Sequence, residues 1–314
     1  MVAAFVDERG RRRIHLRPAV AIAALVVGHG STQKRTLWRL PLGDVADGTA
    51  RPTRIPITNG TAFSPRIGPD YLVYVSSAGG RESVWKLAGQ SATELWSSPD
   101  AKVIGAPAIS PDGRRIAVSA KVNGQSLLYV MQDDGAEGRV ISDSLALHGS
   151  PAWAADGRSV TSAADDHGTP RLVNVPLDGS KATVLVQEFS TDPVWSADGA
   201  EVVYSGPDIG TTFAVKVATF AASATPRSML TLTRGARHLA FAPKRRALLV
   251  LRGEIQHKNL WLVDLDTKQE RPLTNLGADF EVSDFDISRD GRELVLERTE
   301  EQSNISLLDL RRRE

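Results

Sequence analysis

The chain contains no cysteine, which excludes disulfides, thiolate metal sites and thiol nucleophiles. The compartment stays open on that ground alone, because a cysteine-free protein is at home in reducing or oxidising surroundings. An excess of either charge is missing too. With 38 Lys and Arg against 37 Asp and Glu, no general pull toward nucleic acid or a membrane surface is implied. No apolar run comes near the roughly 20 residues that a membrane helix needs. The run Pro18 to Gly28 follows Arg11, Arg12, Arg13 and Arg17 as the apolar part of a signal peptide would, yet Asp7 and Glu8 interrupt the basic stretch. It also aligns with a later segment: Ala24-Leu25-Val26-Val27, a polar loop and Thr36-Leu37-Trp38-Arg39-Leu40 parallel Ala247-Leu248-Leu249-Val250-Leu251, a loop and Asn259-Leu260-Trp261-Leu262-Val263. A strand of a first repeat is the favoured expectation there, with a cleaved or anchoring segment as the alternative. No tract of helical period competes with a β reading anywhere.

What the sequence does have is a phrase that recurs. Ile109-Ser110-Pro111-Asp112-Gly113-Arg114 returns as Trp153-Ala154-Ala155-Asp156-Gly157-Arg158, as Trp195-Ser196-Ala197-Asp198-Gly199 and as Ile287-Ser288-Arg289-Asp290-Gly291-Arg292. Its Asp residues stand 44, 42 and 92 positions apart, the last step being two periods of 46. An Asp-Gly turn between alternating apolar segments, repeated in the forties, is the mark of a four-stranded propeller blade. Within one unit, Ala108-Ile109-Ser110 reads as an inner strand and Ile116 to Ser119 as the second. Leu127 to Met131 follows as the third, and Gly138 to Ser142 as the outer strand. Third strands beginning near Leu37, Val84, Leu127, Arg171, Phe213, Leu260 and Ile305 favour seven blades, with six or eight as the neighbouring counts. The last unit lacks an outer strand while Val2 to Phe5 and Arg13 to Leu16 are surplus. Residues 1–17 are thus expected to supply a closing strand, or to be the remnant of an N-terminal junction, in a single propeller domain over 1–314.

These repeats resemble the TolB-like, WD-type β-propeller. Ile109 to Gly135 follows the family phrase nearly end to end, including Leu128-Tyr129-Val130-Met131-Gln132-Asp133-Asp134-Gly135. Asn259 to Leu265 and Ser283 to Leu310 look like the final repeats of sensor propellers behind bacterial winged-helix regulators and serine/threonine kinases. The resemblance covers about residues 20 to 310 and implies a non-enzymatic binding or scaffold module that presents a funnel face to a protein or peptide partner. It also implies a role in bacterial signalling or envelope assembly and an extracytoplasmic location. The α/β domain of TolB proper and any kinase or winged-helix domain are not in this sequence.

Chemistry-bearing motifs are few. A serine hydrolase needs Gly-x-Ser-x-Gly on a strand-to-helix turn, and Gly28-His29-Gly30-Ser31 is only superficially similar. None of the six histidines is paired at helical spacing for zinc. Residues just before the inner strands should face the central funnel, which nominates His148, Asp192, His238 and Asp284 as a ring of imidazole and carboxylate. Solvated funnel-wall residues are the simpler reading, and no catalytic, cofactor or metal residue is assigned. The alternative function is a lactonase- or lyase-like propeller enzyme that holds a divalent cation among those groups. Asp133-Asp134-Gly135 and Asp165-Asp166 lack calcium-loop spacing. Arg9, Arg11, Arg12, Arg13 and Arg17, with Arg311, Arg312 and Arg313, form the basic clusters. Without interleaved aromatics they do not signal nucleic-acid binding, and membrane association is expected only through an N-terminal or missing segment. A monomer is expected. Trp153 and Trp195 share one repeat position, Trp38, Trp85 and Trp261 another, and both sets are expected to pack between blades.

Overall fold

Second strands are the most apolar of each repeat because they are covered on both faces, and the computed structural model shows this directly. It describes residues 3–6, 12–15, 25–42, 51–58, 60–220 and 225–309. Strands β1 (Ala3–Val6) and β2 (Arg12–His15) pair antiparallel with each other. Strand β3 is Leu25–Pro41 and β4 is Thr53–Arg54. The first blade is β5 (Thr61–Ile67), β6 (Leu72–Ala78), β7 (Arg81–Ala88) and β8 (Ser91–Ser97). The second is β10 (Ala108–Ile109), β11 (Arg115–Val122), β12 (Gln125–Gln132) and β13 (Arg139–Ser142), with the short β9 (Lys102–Val103) also paired to β11. The third is β14 (Leu147–Trp153), β15 (Ser159–Asp166), β16 (Thr169–Pro176) and β17 (Thr183–Val184). The fourth is β18 (Thr191–Trp195), β19 (Glu201–Ile209), β20 (Thr212–Thr219) and β21 (Arg227–Thr233), and the fifth β22 (Leu239–Phe241), β23 (Ala247–Gly253), β24 (Lys258–Asp264) and β25 (Glu270–Pro272).

The sixth blade joins the two ends of the chain. Its order is β26 (Glu281–Ile287), β27 (Glu293–Asp309), β3 and β4. The propeller therefore has six blades, where the count of third strands favoured seven. Leu37 and Ile305 were assigned to separate blades, but β3 is the third strand of the sixth blade and β27, which carries Ile305, is its second. Ile305 does not begin a new strand because β27 runs unbroken from Glu293 to Asp309, through Thr299 to Asn304, a span without Gly or Pro. Gly28 to Ser31, expected to be a loop, likewise lies within the 17-residue β3. By contacts the chain divides into two compact units, Arg35–Thr299 and the pair Met1–Lys34 with Glu300–Glu314. The first holds the blades, and the second includes the β1–β2 hairpin. Arg9, Arg11, Arg17 and Arg311 to Arg313 lie outside the described residues.

Burial follows strand position. The second strands β6, β11, β15, β19 and β23 each hold five or six consecutive buried residues. Third strands such as β20 alternate buried and half-buried, as a sheet with one better-covered face should. Six apolar clusters fill the six seams. Leu37 and Val295 meet Leu72 and Tyr74, Val73 meets Ile116, Leu128 meets Val160, Leu172 meets Tyr204, Val215 meets Val250, and Leu249 meets Leu294.

The recurring Asp-Gly phrase is turn chemistry. In the second blade Asp112 Oδ1 accepts the Ser110 hydroxyl at 2.5 Å and the Arg114 N–H at 3.1 Å, while Gly113 takes φ +74°, which costs other residues more. Asp198 and Asp290 repeat the arrangement on Ser196 and Ser288. Neighbouring blades latch onto these turns and the strands beside them: the Tyr71 hydroxyl donates to Gly113 O at 2.7 Å, Arg115 to Gly157 O at 2.9 Å and the Trp153 indole to Ala108 O of β10 at 3.0 Å.

If β3 closes the ring, Leu37→Ala should cost as much as a change in any buried second strand, about 2–5 kcal/mol. Urea denaturation of this variant beside Leu249→Ala checks it, and a loss below about 1 kcal/mol for Leu37→Ala alone would remove β3 from the ring.

Candidate functional site

A funnel of about 540 Å³ opens on the face that carries the Asp-Gly turns, and every blade contributes to its wall. Cross-strand register aligns the inner strands. Arg66 opposes Val73 as Ala108 opposes Ala117, Ala152 opposes Thr161, Val194 opposes Val203, Ala240 opposes Leu249 and Asp286 opposes Val295. Four blades thus place Ala or Val at this level, while the adjacent first and sixth place Arg66 and Asp286. One side of the wall is charged, and the other is built from residues such as Pro107, Trp153, Pro193 and Trp195.

Arg66 is the hub of the charged side. Its Nη1 donates to Asp284 Oδ2 at 3.1 Å, to Pro65 O at 2.5 Å and to Phe285 O at 3.4 Å, and Nη2 meets His238 Nδ1 at 3.0 Å. A guanidinium has only donors, so Nδ1 accepts and the neutral imidazole carries its proton on Nε2. Burial, with the guanidinium beside it, holds His238 well below the usual histidine range. Asp286 spreads its two oxygens over backbone donors, Ile67 N–H at 2.7 Å and Ile287 N–H at 2.9 Å. Burial pushes its carboxyl up to about 6, against the opposing pull of Arg66. Burial also raises Asp284, which Arg66 opposes, and Glu297, which the Asp284 charge raises further.

These side chains tie neighbouring blades together. Glu297 accepts the Ser64 N–H at 2.8 Å, the Ser150 hydroxyl accepts the Ala106 N–H at 2.9 Å, and Asp192 accepts the Ser150 N–H at 3.1 Å. In each case a donor at the mouth of one inner strand, within a bulge for Ser64 and Ser150, is satisfied from a neighbouring blade. Gly149 lets Asp192 approach, since a Cβ there would sit 2.6 Å from Asp192 Oδ1.

Of the four residues nominated from sequence, Asp192 and His238 line the funnel. Asp284 is buried beside it on Arg66. His148 does not belong to the funnel wall: its side chain is 45% exposed and its Nε2 lies 3.9 Å from Asp165 Oδ2. The four do not converge, and among the described residues no three His, Asp or Glu side chains are grouped to hold a metal ion. The cation at the centre is Arg66 itself. Arg66, Asp286, Glu297 and Arg289, which donates to Ser110 O at 2.9 Å, were missed. The signal for Arg66 and Asp286 was present, as opposite charges at one repeat position in blades that become neighbours only after ring closure.

The profile of the TolB beta propeller domain matches residues 22–285. The chain belongs to the TolB beta-propeller family. Comparison with curated proteins gives no match. Among solved structures, this TolB-like propeller is similar to the putative TolB of Agrobacterium tumefaciens, at 19% identity and TM-score 0.65 over 85% of this chain and 99% of that one. TolB from Acinetobacter baumannii is 16% identical with TM-score 0.59 over 86% of this chain, which spans 65% of that protein's length. An oligogalacturonate lyase from Vibrio parahaemolyticus is 14% identical with TM-score 0.55, over 95% of this chain and 96% of that one. Likeness at these identities carries the fold and not the activity.

Two outcomes are expected at this centre. Arg66→Ala strands Asp284 as an unpaired buried charge and should cost about 3–5 kcal/mol, read by denaturant unfolding at pH 7. Asp286 has a folded pKa above its unfolded one, so it stabilises most when protonated in both states and loses that advantage as pH rises from about 4 through about 6. The stability advantage of the parent over Asp286→Asn should therefore shrink by roughly 1–3 kcal/mol between about pH 4 and pH 7. An advantage that is constant with pH would show that Asp286 titrates normally.

Proposed function

We propose that this TolB-like propeller is a non-enzymatic binding module that presents its funnel face to a protein or peptide partner in bacterial signalling or envelope assembly outside the cytoplasm. The observation that supports this reading is how the funnel's charges are used. Arg66 is engaged by Asp284, His238 and two carbonyls, and Asp286 by two backbone N–H groups. Catalytic acids and bases need a proton or lone pair poised toward substrate, whereas these groups hold the scaffold. The rim is left to do the recognising: Trp195 is half-buried, stacked on Phe220 at 5.1 Å, and exposed Pro111, Ala197 and Arg289 surround the mouth. Aromatic and Arg side chains around a preformed concavity are the composition of a protein-binding hot spot.

The lyase- or lactonase-like alternative requires a divalent cation in the funnel. The residues do not fit one, because the guanidinium already occupies the space between His238 and Asp284.

A photo-crosslinking residue at Ala197 should capture a defined partner in cells. The same residue at Lys121, an exposed position by the β11–β12 turn on the opposite face, should not. Trp195→Ala should weaken the captured complex by at least about tenfold, as truncated interface anchors do. Equal capture from both faces, or stoichiometric calcium or zinc lost in Asp192→Ala, would overturn the binding-module reading.

A further inference from the structure

The outer flank of the fifth blade carries a groove of about 800 Å³ that is separate from the funnel. Alternation along three strands builds it. Thr231 and Thr233 share one face of β21, Asn259 and Trp261 one face of β24, and Glu270 and Pro272 one face of β25. Pro272 stands directly opposite Trp261 in the sheet register. The indole packs against the apolar seam between the fourth and fifth blades and also lines the groove.

Trp261 differs from its counterparts in other blades. Trp38 donates its indole N–H to Thr36 Oγ1 at 2.9 Å and Trp85 donates to Ser83 Oγ at 2.8 Å, in each case to the residue two positions earlier. The residue two before Trp261 is Asn259, whose Oδ1 instead accepts the Thr274 hydroxyl at 2.9 Å and the Leu276 N–H at 2.7 Å. Among the described residues the Trp261 N–H consequently has no acceptor. Trp38 is further covered by Phe280 at 5.4 Å and Arg298 at 5.3 Å. No such ring or cation covers Trp261 among the described residues. Two more polar atoms at the groove, Arg252 Nε and His257 Nδ1, are shielded from solvent and unpartnered. The indole N–H is the donor of this set that is not shielded, and a polar ligand in the groove supplies its acceptor.

Charge narrows the ligand. Arg252 is neutralised by Glu270 at 2.6 Å, so the groove offers no uncommitted cation to an anion. Hydroxyl, amide and carboxylate groups around one aromatic ring suit a neutral molecule with an apolar face and many hydroxyls. The groove is also pre-formed. Lys258, 1% exposed, donates to Thr233 O at 2.7 Å and Arg234 O at 3.0 Å, which fixes the end of β21 against β24. At Gly253, φ +139°, a Cβ would lie 2.3 Å from His257 O, so only glycine allows this hairpin to close. A site ordered before binding loses less entropy when it binds.

We propose that this groove binds a pyranose unit of a neutral oligosaccharide. Its apolar face rests on Trp261, and its hydroxyls reach the donors and acceptors of Thr231, Asn275 and Glu270. The unpaired indole N–H gains an acceptor when the sugar is bound.

Calorimetric titration of the full chain with maltotriose, N,N′,N″-triacetylchitotriose and a galactose trisaccharide tests the assignment. At least one should bind with a dissociation constant of about 1 mM or tighter. Trp261→Ala should weaken binding at least tenfold. Thr231→Ala with Asn275→Ala, both exposed positions, should weaken it at least threefold without moving the melting temperature, which keeps the test valid should the tryptophan variant fail to fold. Absence of saturation with all three sugars up to about 10 mM, well beyond that affinity, would overturn the proposal. So would unchanged affinity in the Thr231/Asn275 variant, or binding confined to charged trigalacturonate or to a peptide.

Discussion

A ring of blades is pinned shut when its last blade is built from strands of both ends of the chain, and this constraint orders much of the molecule. The sixth blade takes β26 and β27 from one end and β3 and β4 from the other. Closure then brings into contact residues that the sequence keeps over 200 positions apart: Arg66 with Asp284, Ser64 with Glu297, Ile67 with Asp286. Apolar packing at this seam, Leu37 and Val295 against Leu72 and Tyr74, resembles that of the other five. What differs is the inner level, where ionised groups replace Ala and Val. A buried ion pair gives little net stability over a well-packed apolar pair, but a mismatched partner is expensive. Charges placed here therefore favour one closure, the joining of the first blade to the sixth, over slipped alternatives.

The same logic explains why the funnel is lopsided. Strand mouths in propeller blades carry bulges, which leave backbone N–H groups without a ladder partner. This chain satisfies such groups from a neighbouring blade, with Ser150 for Ala106, Asp192 for Ser150 and Glu297 for Ser64. Polar residues at funnel level are thereby consumed as inter-blade fasteners. The remaining wall of Pro, Ala and Trp is largely apolar.

Fold class was legible because the turn phrase has a local cause. A backbone N–H two residues on organises each Asp, joined at Asp112, Asp198 and Asp290 by a Ser hydroxyl, and Gly accepts the positive φ, so the period survives in the sequence. Blade number was less legible. The polar span from Thr299 to Asn304 reads as a loop, yet the strand runs through it, and a third strand counted at Ile305 is the far half of a second strand. Asp192 and His238 could be placed in the funnel from repeat register alone, whereas His148 could not, since its bulged strand turns it toward Asp165. Arg66 escaped because its meaning is pairwise. A charge at an apolar level becomes intelligible only when ring closure supplies Asp284 and His238.

Departures from the repeat thus divide into two kinds with different consequences. Arg66 and Asp286 break the pattern where neighbouring groups compensate them fully, so they belong to the architecture. Trp261 keeps the pattern while its supporting residue changes from Thr or Ser to Asn259, and that Asn is diverted to Thr274 and Leu276. The compensation is missing there, and a donor is left facing an open groove. In a repeat protein a position has internal controls, and here Trp38 and Trp85 show what the same site looks like when its indole is supported from within. By that comparison Arg66 and Asp286 are answered by their neighbours, and the flank of the fifth blade is where a tryptophan lacks the support its counterparts have.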